Sequence, residues 1–243
     1  ELGGEQQMIS LGERNEGYLA KVGEPLIQFY GYKTCGVWNS AEEIAANPHF
    51  SDDAPGGIRI VDTNNDGSLT PEDRVALGTP YPDFTWGITN TFQIKDFDIS
   101  FLIQGVQGIT VLNGDVYYNE TKKWNKKYTK NRWVSAEHPG DGKTPYQNVK
   151  TGHDLMLTDY PLQNASYACL RNFTVGYTLP ATAARKIKLS GVRFYVSGSN
   201  LLYIWGSGYK GINPESRMTS GNYSSAMISG YQRGGFPDRK SVV

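Results

Sequence analysis

The sequence predicts an all-β chain, the antiparallel strands of a transmembrane β-barrel with long extracellular loops. Three observations predict it. Apolar and polar residues alternate over unusually long runs, and the connections between those runs are very unequal. Aromatics make up 12% of the 243 residues, led by 16 Tyr, although the hydrophobic fraction is only 38% and the mean hydropathy is −0.49. Barrel strands show one face to lipid and the other to a wet interior, so a low mean hydropathy is compatible with a membrane. No run of about eighteen apolar residues occurs, which excludes a membrane-spanning helix.

The strands follow from period-two patterning. Phe84, Trp86, Ile88, Phe92 and Ile94 alternate with Thr85, Gly87, Thr89, Thr91 and Gln93, and Asn90 alone interrupts the apolar set. After Lys95-Asp96, Phe97, Ile99, Phe101 and Ile103 alternate with Asp98, Ser100, Leu102 and Gln104. This pattern predicts two strands joined by a tight hairpin. Each run is about ten residues, the length of a tilted membrane strand, whereas soluble strands are nearer five or six. A second pair is predicted over 167–178 (Phe173, Val175, Tyr177) and 191–203 (Val192, Phe194, Val196), joined through Leu179 to Gly191. Leu26 to Val37, rich in rings, is a shorter candidate, and a further strand would begin at Val242. Gly3 to Glu24 is assigned to no element.

Connections set the orientation. Lys95-Asp96 is very short and Leu179 to Gly191 moderate, while Val106 to about Ser166 and Ile204 to about Phe236 are long and rich in Gly, Asn, Tyr and charge. Short turns on one side and long loops on the other describe an outer-membrane barrel with periplasmic turns and extracellular loops. Residues 84–94 and 167–178 then run inward, 97–106 and 191–203 outward. The chain opens at Glu1 without Met or signal peptide and closes on the apolar Ser241-Val242-Val243, so it is expected to be a portion of something longer.

Charge and chemistry narrow the function. With 24 Lys+Arg against 24 Asp+Glu there is no basic field to hold nucleic acid. Cys35 and Cys169 form no CxxC pair, and their spacing decides nothing about a disulfide. His49, His138 and His153 lack metal-ligand spacing, no GxSxG, HExxH or phosphate-cradling loop occurs, and acids such as Glu42-Glu43 are adjacent rather than opposed. The chain is therefore read as a non-enzyme.

Residues 62–73 match most of a calcium loop. Asp62, Asn64, Asp66 and Ser68 place oxygens at alternate positions, Gly67 permits the sharp turn, and Asp73 stands where a bidentate Glu is usual. The expectation is a turn that holds calcium through Asp62, Asn64, Asp66, Ser68 and Asp73, the competing reading being an Asx-rich turn into a short helix begun by Pro71. Lys122, Lys123, Lys126, Lys127, Lys130 and Arg132 interleave with Trp124, Tyr128 and Trp133, a pattern best read as a solvated loop face.

The ordered motifs then resemble a known family. They begin with Gly23-Glu24-Pro25-Leu26, Phe29-Tyr30-Gly31-Tyr32 and the 62–67 loop, followed by Asp73-Arg74, Leu77-Gly78-Thr79-Pro80 and Pro82-Asp83-Phe84. Phe97-Asp98-Ile99-Ser100-Phe101, Gln104-Gly105, Arg132-Trp133, Leu170-Arg171-Asn172 and Gly176-Tyr177-Thr178-Leu179-Pro180 continue the series. It ends with Ser199-Asn200-Leu201 and Tyr209-Lys210-Gly211-Ile212-Asn213-Pro214-Glu215. Together they resemble the C-terminal barrel portion of SusC/RagA-family TonB-dependent outer-membrane transporters. The resemblance implies the last several strands of a barrel of about 22 strands, active import of glycans or peptides energised through TonB, and a SusD-like surface lipoprotein at the mouth. The family's plug, its TonB-contacting box and its closing strand have no match in the chain.

On this reading Phe, Ile and Val meet lipid, while Ser, Thr, Gln, Asp98 and Arg193 face the lumen. Trp86, Tyr177, Tyr203 and Trp205 are expected at headgroup level, and Trp124, Trp133, Tyr209 and Tyr223 are the candidate rings for stacking substrate. The alternative from the same residues is a secreted, calcium-braced β-sandwich that binds carbohydrate. A passive porin and, last, a hydrolase complete the set.

Overall fold

The computed structural model describes residues 6–10, 17–114, 130–147, 155–211, 213–215 and 231–232. In chain order, β1 (Gln6–Ser10), β2 (Gly17–Lys21) and β3 (Gln28–Gly31) are followed by β4 (Thr34–Val37), helix α1 (Ala41–Ala45), β5 (Ile58–Ile60) and β6 (Val75–Gly78). Then come β7 (Phe84–Ile94), β8 (Phe97–Gln107), β9 (Thr110–Asn113), β10 (Leu162–Asn164) and β11 (Tyr167–Thr178). Helix α2 (Ala181–Lys186) leads to β12 (Arg193–Trp205), and β13 (Tyr231–Gln232) pairs with β9.

The main sheet has the order β12-β11-β8-β7, antiparallel throughout. Its strands are 11 to 13 residues long, and 11 residues extend about 36 Å, enough for a tilted strand to cross the hydrocarbon layer. Lys95 takes a left-handed backbone (φ 53°) and closes the two-residue hairpin expected from the sequence. Directly opposed residues of antiparallel strands share a face, so the register sorts the whole sheet. One face carries rows such as Ile88–Ile103–Leu170–Leu202 and Phe92–Ile99–Val175–Val196. The other carries Thr91–Ser100–Thr174–Ser197.

Among the described residues no second sheet packs against the apolar face. Ile88 is 53% exposed, Phe194 62% and Val196 78%. Exposed apolar surface on this scale requires a solvent of matching polarity. A sandwich would bury those side chains, so the carbohydrate-binding-sandwich reading fails here. An arginine at the bilayer midplane of a barrel costs about 2–4 kcal/mol on the lipid face and little on the lumen face. Ile88→Arg in the intact protein, folded into phospholipid vesicles and unfolded in urea, is accordingly expected to lose that amount, and Thr89→Arg almost none.

Sequence reading needs correction at two places. Leu26 to Val37 is two short strands, β3 and β4, because Tyr32 leaves the first sheet to bridge Thr158. Val106 to Ser166 is not wholly loop, since β9 pairs with β10. The segment left unassigned, Gly3 to Glu24, supplies β1 and β2. The strand expected from Val242 lies outside the described residues.

Smaller cores sit beyond the loop end of the main sheet. Tyr18, Ala20, Ile27, Phe29 and Leu112 form one, and Tyr32, Ile58 and Ile60 another. A third joins Val106, Tyr167 and Cys169 of the sheet to Ile109, Val111, Ala165 and Tyr209 of the loops. The loops therefore fold onto the polar face at that end, while no described residue covers the apolar face.

Candidate functional site

The polar face holds two charged assemblies, one near each rim. Near the short-turn rim, Arg193 donates to Asp98 through Nε at 3.0 Å and Nη2 at 2.5 Å. The pair lies across Gly176 of the intervening strand. A Cβ there would crowd Asp98 Oδ1 and Arg193 Nη2, the far ends of both side chains, so glycine leaves the ion pair an unobstructed path.

Toward the loop rim the assembly is larger. A register shift between Leu170 and Asn172 bulges Arg171 out of the ladder. A bulge re-aims a side chain, and Arg171 reaches across the polar face to Gln104 Oε1 (3.1 Å), Asn200 Oδ1 (2.8 Å) and Tyr203 Oη (3.4 Å). Asn200 itself adopts a left-handed backbone (φ 53°), which asparagine tolerates better than most residues. The convergence point is Glu215, from the loop after β12. Both of its oxygens accept from Arg171, at 3.0 Å for Oε2 and in a short ion pair for Oε1. Tyr167 Oη donates to Oε1 at 2.5 Å and Tyr203 Oη to Oε2 at 2.6 Å. Asn213 accepts the Glu215 N–H (2.9 Å), which fixes the carboxylate's approach.

Glu215 is partly buried, which raises its pKa, but the bonds from Arg171, Tyr167 and Tyr203 outweigh burial and hold it at about 2. A carboxyl depressed in the folded state stabilises fully above its ordinary range, and that contribution is lost as pH falls toward the folded value. The described parts of the loop after β12, 206–211 and 213–215, are therefore expected to stay docked at pH 7 and pH 5 and to release progressively between pH 4.5 and about 2. The 19F resonance of 5-fluorotryptophan at Trp205, whose ring centroid lies 6.0 Å from that of Tyr209, reads the release.

Residues singled out from the sequence fall in several places. Asp98 and Arg193 lie on the polar face of the sheet, and Trp86 and Tyr177 on the apolar face. Tyr203 and Trp205 do not, because their partners Cys169 and Tyr167 belong to the polar face; they serve the loop network rather than the headgroups. Trp133 is 9% exposed with Nε1 donating to Asn39, and Tyr209 is 4% exposed in the third core. Neither offers a free face for substrate. Trp124 and Tyr223 lie outside the described residues. Asp141, Lys143, Asp159 and Lys210 border an open cleft of about 640 Å³ beside Cys35.

The 62–73 loop adopts the Asx-rich turn into a short helix, Pro71–Asp73, of the competing reading. Asp62 Oδ2 accepts Gly67 N–H (2.9 Å), Asn64 Oδ1 accepts Asp66 N–H (2.9 Å) and Asp66 Oδ1 accepts Ser68 N–H (2.8 Å), with Gly67 at φ 85°. Among the described residues Asp62 Oδ1 has no hydrogen-bond partner. Asp73 is wholly buried and committed elsewhere: its carboxylate accepts the N–H groups of Thr63 (2.8 Å), Asn64 (3.4 Å) and Thr70 (2.9 Å). Burial raises its pKa, yet these bonds more than compensate and keep it low. Among the described residues no three His, Cys, Asp or Glu side chains converge as a metal site.

Long bare-faced strands with an arginine–glutamate latch holding a loop on the polar side define the wall of a membrane barrel. No family model matches the chain. It is 30% identical over 232 residues to the TonB-dependent receptor P26 of Formosa agariphila, covering 91% of this chain and 22% of that protein. It is also 26% identical over 208 residues to the TonB-dependent receptor SusC of Bacteroides thetaiotaomicron, covering 85% and 19%. The RagAB peptide transporter superposes with a TM-score of 0.69 at 19% identity, covering 97% of this chain and 23% of that one. The chain thus spans about a fifth of the length of the curated relatives it matches. It belongs to the SusC/RagA-type TonB-dependent receptors, outer-membrane β-barrel proteins.

Proposed function

We propose that the chain forms part of the barrel wall and outer vestibule of an active importer of glycans or peptides, energised through TonB and capped by a SusD-like lipoprotein. The observation that supports this reading is an exposed apolar sheet face paired, on the opposite polar face, with the Arg171–Glu215 latch that holds a loop. A passive pore has less need of a built latch. The matched relatives bear receptor and transporter names, in keeping with a non-enzyme. With the rings at 133 and 209 buried, cargo contact within the described residues falls to polar surfaces such as the Lys143–Lys210 cleft. The test is uptake of fluorescent oligopeptides and oligosaccharides by cells carrying or lacking the whole receptor. Uptake should need both the receptor and TonB. Equal uptake without TonB would leave a porin.

The same proposal includes calcium on the 62–73 loop, braced through Asp62, Asn64, Asp66 and Ser68, with Asp73 holding the backbone instead of the ion. With one ligand fewer, affinity should fall in the weak range of extracellular modules, about 10⁻⁴–10⁻³ M. Calcium titration calorimetry should show that binding in the whole receptor and lose it in Asp62→Asn/Asp66→Asn. A titration identical for both proteins would remove calcium from the account.

A further inference from the structure

We infer that the short-turn rim of the main sheet is a binding surface for anionic phospholipid headgroups. The rim is built by the hairpin turn Lys95-Asp96 and the Leu179–Val192 connection. Thr178 N–H donates to Asp96 O (2.8 Å) and Leu179 N–H to Val192 O (2.8 Å), which holds both connections against the strand ends. The Leu179–Val192 connection contains Arg185, Lys186 and Lys188 and no acidic residue. With Lys95 they stand against Asp96 alone, and all five side chains are exposed.

Apolar residues are interleaved with these cations. Ile187 is 57% exposed and Leu189 48%, although Ala184 beneath them is wholly buried and accepts both of their N–H groups (3.1 Å each). Lys188 takes a left-handed backbone (φ 58°) between them. The patch continues the lipid-facing surface: the connection leaves the sheet just after Tyr177 and re-enters just before Phe194, both on the apolar face. Phe97, 49% exposed, extends it on the neighbouring strand. Apolar side chains that continue a lipid face belong at the acyl boundary, with long cationic stems reaching the phosphates above it. The occupant is therefore the phospholipid leaflet on the short-turn side.

The test uses the whole receptor in nanodiscs of phosphatidylethanolamine containing phosphatidylglycerol, followed by native mass spectrometry of the lipids it retains. The receptor should retain phosphatidylglycerol selectively. Each cation contributes on the order of fivefold to that preference, so Arg185→Gln/Lys186→Gln/Lys188→Gln should reduce it by at least that factor. Ile187→Ser/Leu189→Ser should lower retention of both lipids. Lys143→Gln/Lys210→Gln, at the cleft, should leave selectivity unchanged. Heat-modified gel mobility verifies that each variant is folded. A folded triple variant with undiminished selectivity, or an equal loss from the cleft variant, would overturn the inference.

Discussion

Replacing Arg171 with Ala should free the 206–215 segment while leaving the four-stranded wall intact. Arg171 and Glu215 side chains are 22% and 26% exposed, so the pair is shielded without being sealed. Removing one partner of a fully buried pair costs about 3–5 kcal/mol, and about 2–4 kcal/mol is expected at this partial burial. Most of the loss comes from stranding Glu215 between two phenols with no cation. Glu215→Gln keeps one acceptor oxygen and should cost less. Hydrogen exchange at pH 7 should show lost protection across 206–215 and unchanged protection in 97–107. Lost protection in both would mean that the network holds up the sheet rather than the loop, and a double-mutant cycle showing no coupling would dismiss the latch.

Asp73→Ala carries the second large effect. The carboxylate accepts three backbone N–H groups, that of Thr70 as its half of a capping box, and Thr63 Oγ1 donates to the Asp73 backbone oxygen at 2.9 Å. Thr63 and Thr70 are half-buried and Asn64 is exposed, so these N–H groups fall short of the full cost of buried orphans, about 1–3 kcal/mol each, and local opening of 62–73 should become easier by about 2–3 kcal/mol in all. Limited proteolysis between Asp62 and Asp73, slow in the parent, should become fast. Asp73→Asn, which retains one acceptor oxygen, should fall between them. Unchanged proteolysis in Asp73→Ala would mean that the buried carboxylate does not organise the loop.

How far the sequence carried this account follows from what each pattern encodes. Period-two alternation reports a face directly, so β7, β8, β11 and β12 were readable to within about two residues. The latch was not. Gln104, Arg171, Asn200 and Glu215 each sit in a recognisable motif, but separations of 67 residues (Gln104–Arg171) and 44 residues (Arg171–Glu215) hide their meeting. Only the strand register and the Arg171 bulge join them. Trp133 and Tyr209 were misleading because a ring flanked by Gly, Asn or Lys looks exposed, whereas here loops fold back over both. Asp73 fitted a metal-ligand spacing, but the same spacing lets its carboxylate close a turn on backbone N–H groups.

Site-directed spin labelling tests the central claim most directly. Single nitroxides on successive positions 88–93 of the whole receptor in phospholipid vesicles would be probed with oxygen and with a water-soluble nickel chelate. Labels at Ile88, Asn90 and Phe92 should favour oxygen, and those at Thr89, Thr91 and Gln93 should not, giving a period of two. Equal nickel access on both faces, or protection of the apolar face from both reagents, would contradict a lipid-facing wall.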